Sequence, residues 1–361
     1  MRLRILHLAS YDRWTGAIAP AFTEVEALRE AGVDARFAFV GGYKLERKIG
    51  SLPFVHPCIG RSQNPVAFLR SASAIAHLVQ AESIEIIHAH LSFDHWLALF
   101  ARRKLAARIV RTFHARRALH RDPLTRALIA RTGGLAVVNP ALLTEPPLRD
   151  RRVIITPSPV NHRVFHTGGK DARRSHGIEP AAPVVGVIGK ITPGRGFDEA
   201  LHVFAAIARE IPDARFLVVG RGFHRASLEL EASHLGIGER IVWAGYHEDD
   251  LADHYRAMDL MLVIATGSDQ GHRAVSEAMA CGTPVVSFPI PGVGALMGAL
   301  ASRLVVGRED ESMLASTAID LIRSGEAKEL RPLVAAATER FGLGPAAARL
   351  IDLYREVLAG E

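Results

Sequence analysis

Two carboxylates eight residues apart, Asp269 and Glu277, stand in the stretch TGSDQGHRAVSEAMACGTPVVS from Thr266 to Ser287. Good helix formers from Ala274 to Cys281, stopped by Gly282, put Glu277 on a short helix and Asp269 in the loop ahead of it. At such a junction the unpaired backbone N–H groups and the positive end of the helix dipole draw phosphate or sugar oxygens. A neighbouring carboxylate accepts hydrogen bonds from hydroxyls. The combination suits a sugar nucleotide. Spacing alone leaves a plainer alternative open, in which the first carboxylate caps the helix and the second lies on a solvated face.

A second set is cationic. In VVGVIGKITPGRGFDEALHVFAAI an apolar strand ends at Gly189, a glycine-rich turn carries Lys190 and Arg195, and a helix follows. The turn either aims both cations into a cleft or leaves them solvated. A third set is made of imidazoles. IEIIHAHLSFDHW alternates as a buried strand, with His88 on it and His90, Asp94 and His95 at its carboxyl end, where open α/β sheets bind ligands. His90, Asp94 and His95 lack the spacing of a known zinc motif, and no metal is expected. The later strand ARIVRTFHARR ends in His114. Gly220 and Gly222 close the strand of RFLVVGRGF, and Tyr246 stands in the loop Gly245-Tyr246-His247, either facing a ligand or packed as a loop aromatic.

These residues need a frame, and the chain supplies one. LRILHLAS, a helix near Ala17 to Ala31 stopped at Gly32, and VDARFAFVGG read as strand, helix, strand of a doubly wound parallel sheet. The G-x-G-x-x-G fingerprint is absent after the first strand, which argues against a nicotinamide enzyme. A helix near Val66 to Ala81, the strand LAVVN and the apolar, β-branched run VVSF continue the pattern. With 361 residues the chain is longer than one core usually grows, so two domains are expected, joined by the Gly-, Pro- and charge-rich linker 167–183. Residues 346–361 read as a final amphipathic helix.

Composition narrows the class. At 48% hydrophobic and 23% charged the chain is globular, and its two cysteines, Cys58 and Cys281, are too few for a disulfide framework. A reducing compartment is expected. The apolar run of MRLRILHLAS is too short for a signal peptide, and no stretch is long enough to span a bilayer. Residues 1–165 hold 24 Lys and Arg against 12 Asp and Glu, whereas the remainder is net acidic. That split reflects either an anionic partner or an arginine-rich codon bias. Between Arg116 and Arg131, RRALHRDPLTRALIAR interleaves five arginines with leucines, as a lipid-facing segment or as a solvated helix with a core stripe.

EAMACGTPVV, from Glu277 to Val286, resembles almost letter for letter a string of the family-4 retaining glycosyltransferases of the GT-B fold, where it completes an E-x7-E signature. Asp269 replaces the first Glu, and QGHR the usual glycine-rich stretch. The pair Lys190 and Arg195 is similar to the family's G-R-x-x-x-x-K-G with the two cations exchanged, and TFHA resembles its second histidine motif. VIITPSPVNHRVF keeps Pro157, Val160 and Phe165 of the string PNGVDxxxF but has Ser158, Pro159 and Asn161 for Asn, Gly and Asp. Since proline cannot reproduce a glycine with positive φ, that hinge turn must be shaped differently. Of the Gly-Gly pair after the first strand, only Gly16 matches.

The resemblance implies an α/β, GT-B protein of two Rossmann-like doubly wound domains facing a cleft. Residues 1–166 would form the acceptor domain, with the helix 346–361 packed back on it, and 167–345 the nucleotide-sugar donor domain. It implies Lys190 and Arg195 on the donor diphosphate, Glu277 on the ribose, Asp269 on the sugar hydroxyls and His114 beside the transferred sugar. Gly16, Gly189, Gly220, Tyr246, Gly271, His272, Arg273, Ala274 and Val275 would complete the donor site, and His90, Asp94 and His95 the acceptor side. It further implies a UDP- or GDP-type sugar donor, no cofactor and no metal. The acceptor would be a glycolipid, lipopolysaccharide or other glycan, and the place of work cytoplasmic with peripheral contact at the inner face of the membrane. Nucleic acid is not expected as a partner. Two rivals stand beside this: an epimerase acting on the donor alone, and a silent scaffold that holds membranes through the basic half.

Overall fold

Runs such as RILHLA, IIHA and LMLV are apolar at nearly every position, which suits strands covered on both faces. The computed structural model describes residues 3–14, 17–62, 64–102, 105–265 and 271–360. They form two compact units, residues 1–159, 268–271 and 341–361 in one and residues 160–267 and 272–340 in the other. The change from first to second comes at 159/160, ahead of the 166/167 expected from linker composition. The reason is that the Phe165 ring packs on Tyr255 of the second unit, 6.1 Å between centroids.

The first unit holds strands β1 (Arg4–Ala9), β2 (Asp34–Val40), β3 (Val55–Ile59), β4 (Ile86–Ala89), β5 (Arg108–Phe113), β6 (Gly134–Val137) and β7 (Val153–Ile155). Its sheet has the order β3-β2-β1-β4-β5-β6-β7 with parallel pairing throughout. The strand period of two sorts the side chains. Ile5, Ala9, Ile86 and Val110 join one apolar cluster, under the helices Ile18–Glu30 and Leu343–Ala359, while Leu6, Leu8, Ile87 and Ile109 join another. By the same alternation His7, His88 and Thr112 fall on the first face, inside its core.

The second unit holds β8 (Val184–Ile188), β9 (Arg215–Val219), β10 (Ile241–Gly245), β11 (Leu260–Val263) and β12 (Val285–Ser287), in the parallel order β10-β9-β8-β11-β12. The strand order reverses between β8 and β11, so the loops after these two strands flank the crevice where open α/β sheets take ligands. Backbone meets backbone at this edge. A Cβ on Gly220, whose φ is +147°, would lie 1.8 Å from the Gly189 carbonyl oxygen, and one on Gly222 would lie 1.7 Å from that of Ile191. The loops after β8 and β9 thus lock together only because those residues have no side chain.

Gly220→Ala is expected to cost more than about 3 kcal/mol, because the added carbon meets a carbonyl that cannot move aside. Gly236→Ala, at φ +69° with nothing within 4 Å, serves as the control and should cost only about 1 kcal/mol of backbone strain. Urea unfolding of both variants decides the matter, and equal losses would refute the close-approach argument.

Candidate functional site

In the second unit, Gly194 at φ +70° and Gly196 at φ +78° bend the loop after β8 into the helix Phe197–Glu210. A Cβ on Gly196 would stand 2.9 Å from Cβ of Ile264, so this loop lies directly against the end of β11. The helix start is fixed by Asp198, whose carboxylate oxygens lie 2.8 and 3.0 Å from Nε2 of His224. Lys190 is exposed and Arg195 half-buried, and among the described residues neither has an ion-pair partner. Two cations without an ion-pair partner among the described residues thus stand on a glycine-bent loop at the sheet's switch point, a combination chemically suited to an anion.

The loop after β11 runs into the helix Arg273–Ala280, entered through His272 at φ +49°, whose Nε2 donates to the Pro291 carbonyl at 3.0 Å. Glu277 is 3% exposed. Its Oε1 accepts from Arg273 Nη1 at 2.7 Å and its Oε2 from the hydroxyl of buried Tyr255 at 3.1 Å. Burial and the Glu277 carboxylate hold the Tyr255 hydroxyl well above the usual range, which keeps it a donor. The plainer alternative of a solvated Glu277 is therefore set aside.

Tyr246 follows β10, with its ring under Arg221 at 4.2 Å and its hydroxyl donating to Glu248 at 2.8 Å. Gly189 and Gly220 touch, Gly271 and Val275 are buried, and Ala274 is half-buried. Gly16 and Asp269 lie outside the described residues.

In the first unit the imidazoles form one connected chain. Thr112 Oγ1 lies 2.8 Å from His88 Nε2, and His88 Nδ1 lies 2.7 Å from the Tyr354 hydroxyl. That hydroxyl lies 3.0 Å from His7 Nε2, His7 Nδ1 lies 2.9 Å from His90 Nε2, and His90 Nδ1 lies 3.0 Å from His114 Nε2. Burial pushes His7 and His114 down to about 3, and His88 and His90 well below the ordinary value. All four are neutral near pH 7, each with one N–H to give and one lone pair to take. His114 Nδ1 is the buried end atom, with no partner among the described residues.

Asp94 and His95 serve the fold. The two Asp94 oxygens accept from the backbone N–H groups of Ser10 and Leu91 at 2.7 Å each, tying the ends of β1 and β4 together. Burial raises the Asp94 carboxyl to about 6 against these bonds and the field of Arg111. His95 Nε2 lies 2.7 Å from Thr132 Oγ1, whose own proton goes to the Leu128 carbonyl. Sequence reasoning passed over His7, Glu24, Tyr255 and Tyr354. The available signals were a histidine inside the apolar run RILHLA and a glutamate on the stripe of Ala21, Val25 and Leu28, both fully buried.

Residues 21–181 match a family model described as Glycosyltransferase Family 4, and residues 182–324 one described as Glycosyl transferases group 1. The chain belongs to the family-4 glycosyltransferases. Its two parallel α/β units are those of the GT-B fold, and solved structures resemble it along nearly the whole chain. A glycosyltransferase from Rickettsia africae has a TM-score of 0.83 at 16% identity, over 99% of both chains. The Anabaena protein HepE, in complex with UDP and glucose, has a TM-score of 0.79 at 16% identity, over 97% of this chain and 99% of that one. Among curated relatives, the D-inositol 3-phosphate glycosyltransferase of Segniliparus rotundus is 30% identical over 217 residues, 58% of this chain and 48% of that protein. The chain spans about half the length of the curated relatives it matches first.

In this family-4 glycosyltransferase the hydroxyl of Tyr354 joins the two halves of the imidazole chain. Tyr354→Phe should cost about 2 kcal/mol, because two buried ring nitrogens lose their partner and no water reaches them. The denaturant midpoint measures this, and a loss below about 0.5 kcal/mol would contradict the connected chain.

Proposed function

We propose that this chain transfers a hexosyl group from a nucleoside diphosphate sugar of UDP or GDP type to a glycan or lipid-linked acceptor, with retention at the anomeric carbon. The observation that carries the reading is the pair Lys190 and Arg195, free of protein anions among the described residues, on the loop beside the switch point of the donor unit. Glu277 after the neighbouring strand supports it. The bond from the anomeric carbon to the diphosphate oxygen breaks, the bond to the acceptor oxygen forms, and the acceptor proton goes to the departing diphosphate. Negative charge grows on that leaving group, so two positioned cations stabilise the transition state more than the ground state. Glu277 takes the ribose hydroxyls, Asp269 the sugar hydroxyls, and His114 stands beside the sugar through Nδ1. No step is routed through a metal ion.

Calorimetric titration with UDP and GDP tests the reading. Lys190→Ala and Arg195→Ala should each weaken the diphosphate about 10- to 100-fold, the worth of a charge-assisted contact, with an unchanged circular dichroism spectrum. Unaltered affinity in both variants would overturn it. Glu277→Gln should weaken the nucleotide as well, whereas Asp269→Asn should lower turnover of the intact donor and leave free diphosphate affinity unchanged.

A membrane-borne acceptor is favoured by one surface feature. Arg116, Arg117, Arg121 and Arg126 are all exposed around Leu124, itself 66% exposed, although Arg116 also pairs with Glu145 at 2.6 Å. Among the described residues no helix is long and apolar enough to cross a membrane. Each such cation adds about 1 kcal/mol at an anionic bilayer. Co-sedimentation with anionic vesicles should therefore be lost on raising salt and on changing the four arginines to Gln, and no binding of the unmodified chain at low salt would discard this part.

A further inference from the structure

Three groups that can each offer one ligand atom to a metal lie side by side under the first sheet. His7, His90 and Glu24 are 0%, 1% and 0% exposed. Oε2 of Glu24 lies 3.9 Å from His7 Nδ1 and 3.7 Å from His90 Nε2, and those two nitrogens are 2.9 Å apart. We infer that His7 Nδ1, His90 Nε2 and Glu24 Oε2 are the ligands of one buried divalent transition-metal ion of the zinc class. The site has a structural role, and the inference stands independently of the proposed transfer reaction.

The triangle has the right size. A point about 2.1 Å from all three atoms exists within it, the distance at which zinc takes imidazole nitrogen and carboxylate oxygen. The surroundings have the right polarity. A metal-bound imidazole directs its other N–H to an acceptor, and here His7 Nε2 faces the Tyr354 hydroxyl at 3.0 Å while His90 Nδ1 faces His114 Nε2 at 3.0 Å. Protons running outward satisfy every link. The Tyr354 O–H then goes to His88 Nδ1 and the His88 Nε2–H to Thr112, so His88, the fourth member of the cluster, is outer support rather than a ligand.

A bond between the two rings would also account for 2.9 Å, but it leaves Glu24, whose carboxyl feels the Arg349 guanidinium, without a hydrogen bond. Neither oxygen of this fully buried carboxyl has a hydrogen-bond partner, a costly arrangement that an ion removes. Two imidazoles and one carboxylate favour zinc, cobalt or nickel over magnesium or calcium, which prefer all-oxygen sites.

The test uses the full chain made without a histidine tag. Element analysis after exhaustive treatment of the folded protein with a chelator should find about one zinc-class ion per chain, released only when urea is added. The chelation step matters because His176, His247 and His254 form a second, more accessible cluster, with His176 and His254 Nε2 3.0 Å apart. An ion lost from the folded protein belongs there, and a folded protein left without any ion after chelation overturns the inference. Refolding with cobalt should give visible absorption bands of protein-bound cobalt that the cobalt-free chain lacks. Glu24→Gln and His7→Gln should each fold without the ion, and if either fails to fold, the cobalt spectrum of the unaltered chain carries the test. A folded protein with less than about a tenth of an equivalent after refolding with zinc would leave the ring-to-ring hydrogen bond as the correct description, as would full metal content in both variants.

Discussion

A parallel sheet covered by helices on both faces has no water to offer, so any polar side chain placed on a strand interior must find its partners among other side chains. The first unit meets this constraint with His7, His88 and Thr112 on three successive strands of the sheet, β1, β4 and β5. Register sets His7 opposite His88. The helices above then have no choice of rotation, because Tyr354 must stand between the two rings and Glu24 over the third. Apolar packing around Ile5, Phe22, Leu350 and Val357 would tolerate small slides of these helices; the polar chain does not.

The second unit places its polar groups differently. Its strands are apolar but for Arg215 and Ser287 at their ends, and its candidate site residues lie on the loops and helix starts that follow them. There the backbone is held by glycine contacts while the cations extend from it. A fixed backbone under Lys190 and Arg195 limits what is lost in ordering when an anion arrives, since only side-chain rotamers remain to be restricted.

Strands and helices were readable because each is a run of apolar residues with a clear stop, and Lys190, Arg195 and Glu277 stood out as candidates because unlike residues break those runs at fixed spacing. Neighbours distant in the chain were not. His7 and Tyr354 are 347 positions apart, and nothing local in either segment names the other. Asp94 and His95 show the converse difficulty: a residue at a strand's carboxyl end looks the same in sequence whether it awaits a ligand or ties β4 to β1. In the unlike hinge string, Ser158 is buried at 1% exposure with a hydroxyl that finds no partner among the described residues, a detail that no local pattern announces.

The helix Leu343–Ala359 roofs the first sheet, yet it is made only after the whole of the second unit. During synthesis from the amino terminus, residues 160–340 can therefore reach their final form while the earlier strands still lack a cover. Until that roof arrives, His7 and His88 lack the Tyr354 hydroxyl that joins them. Reading the remaining two hundred or so codons takes on the order of 10 to 40 s at ordinary rates of synthesis, so the polar chain is the last part of the first unit to be completed. Maturation of this protein closes from its end backwards.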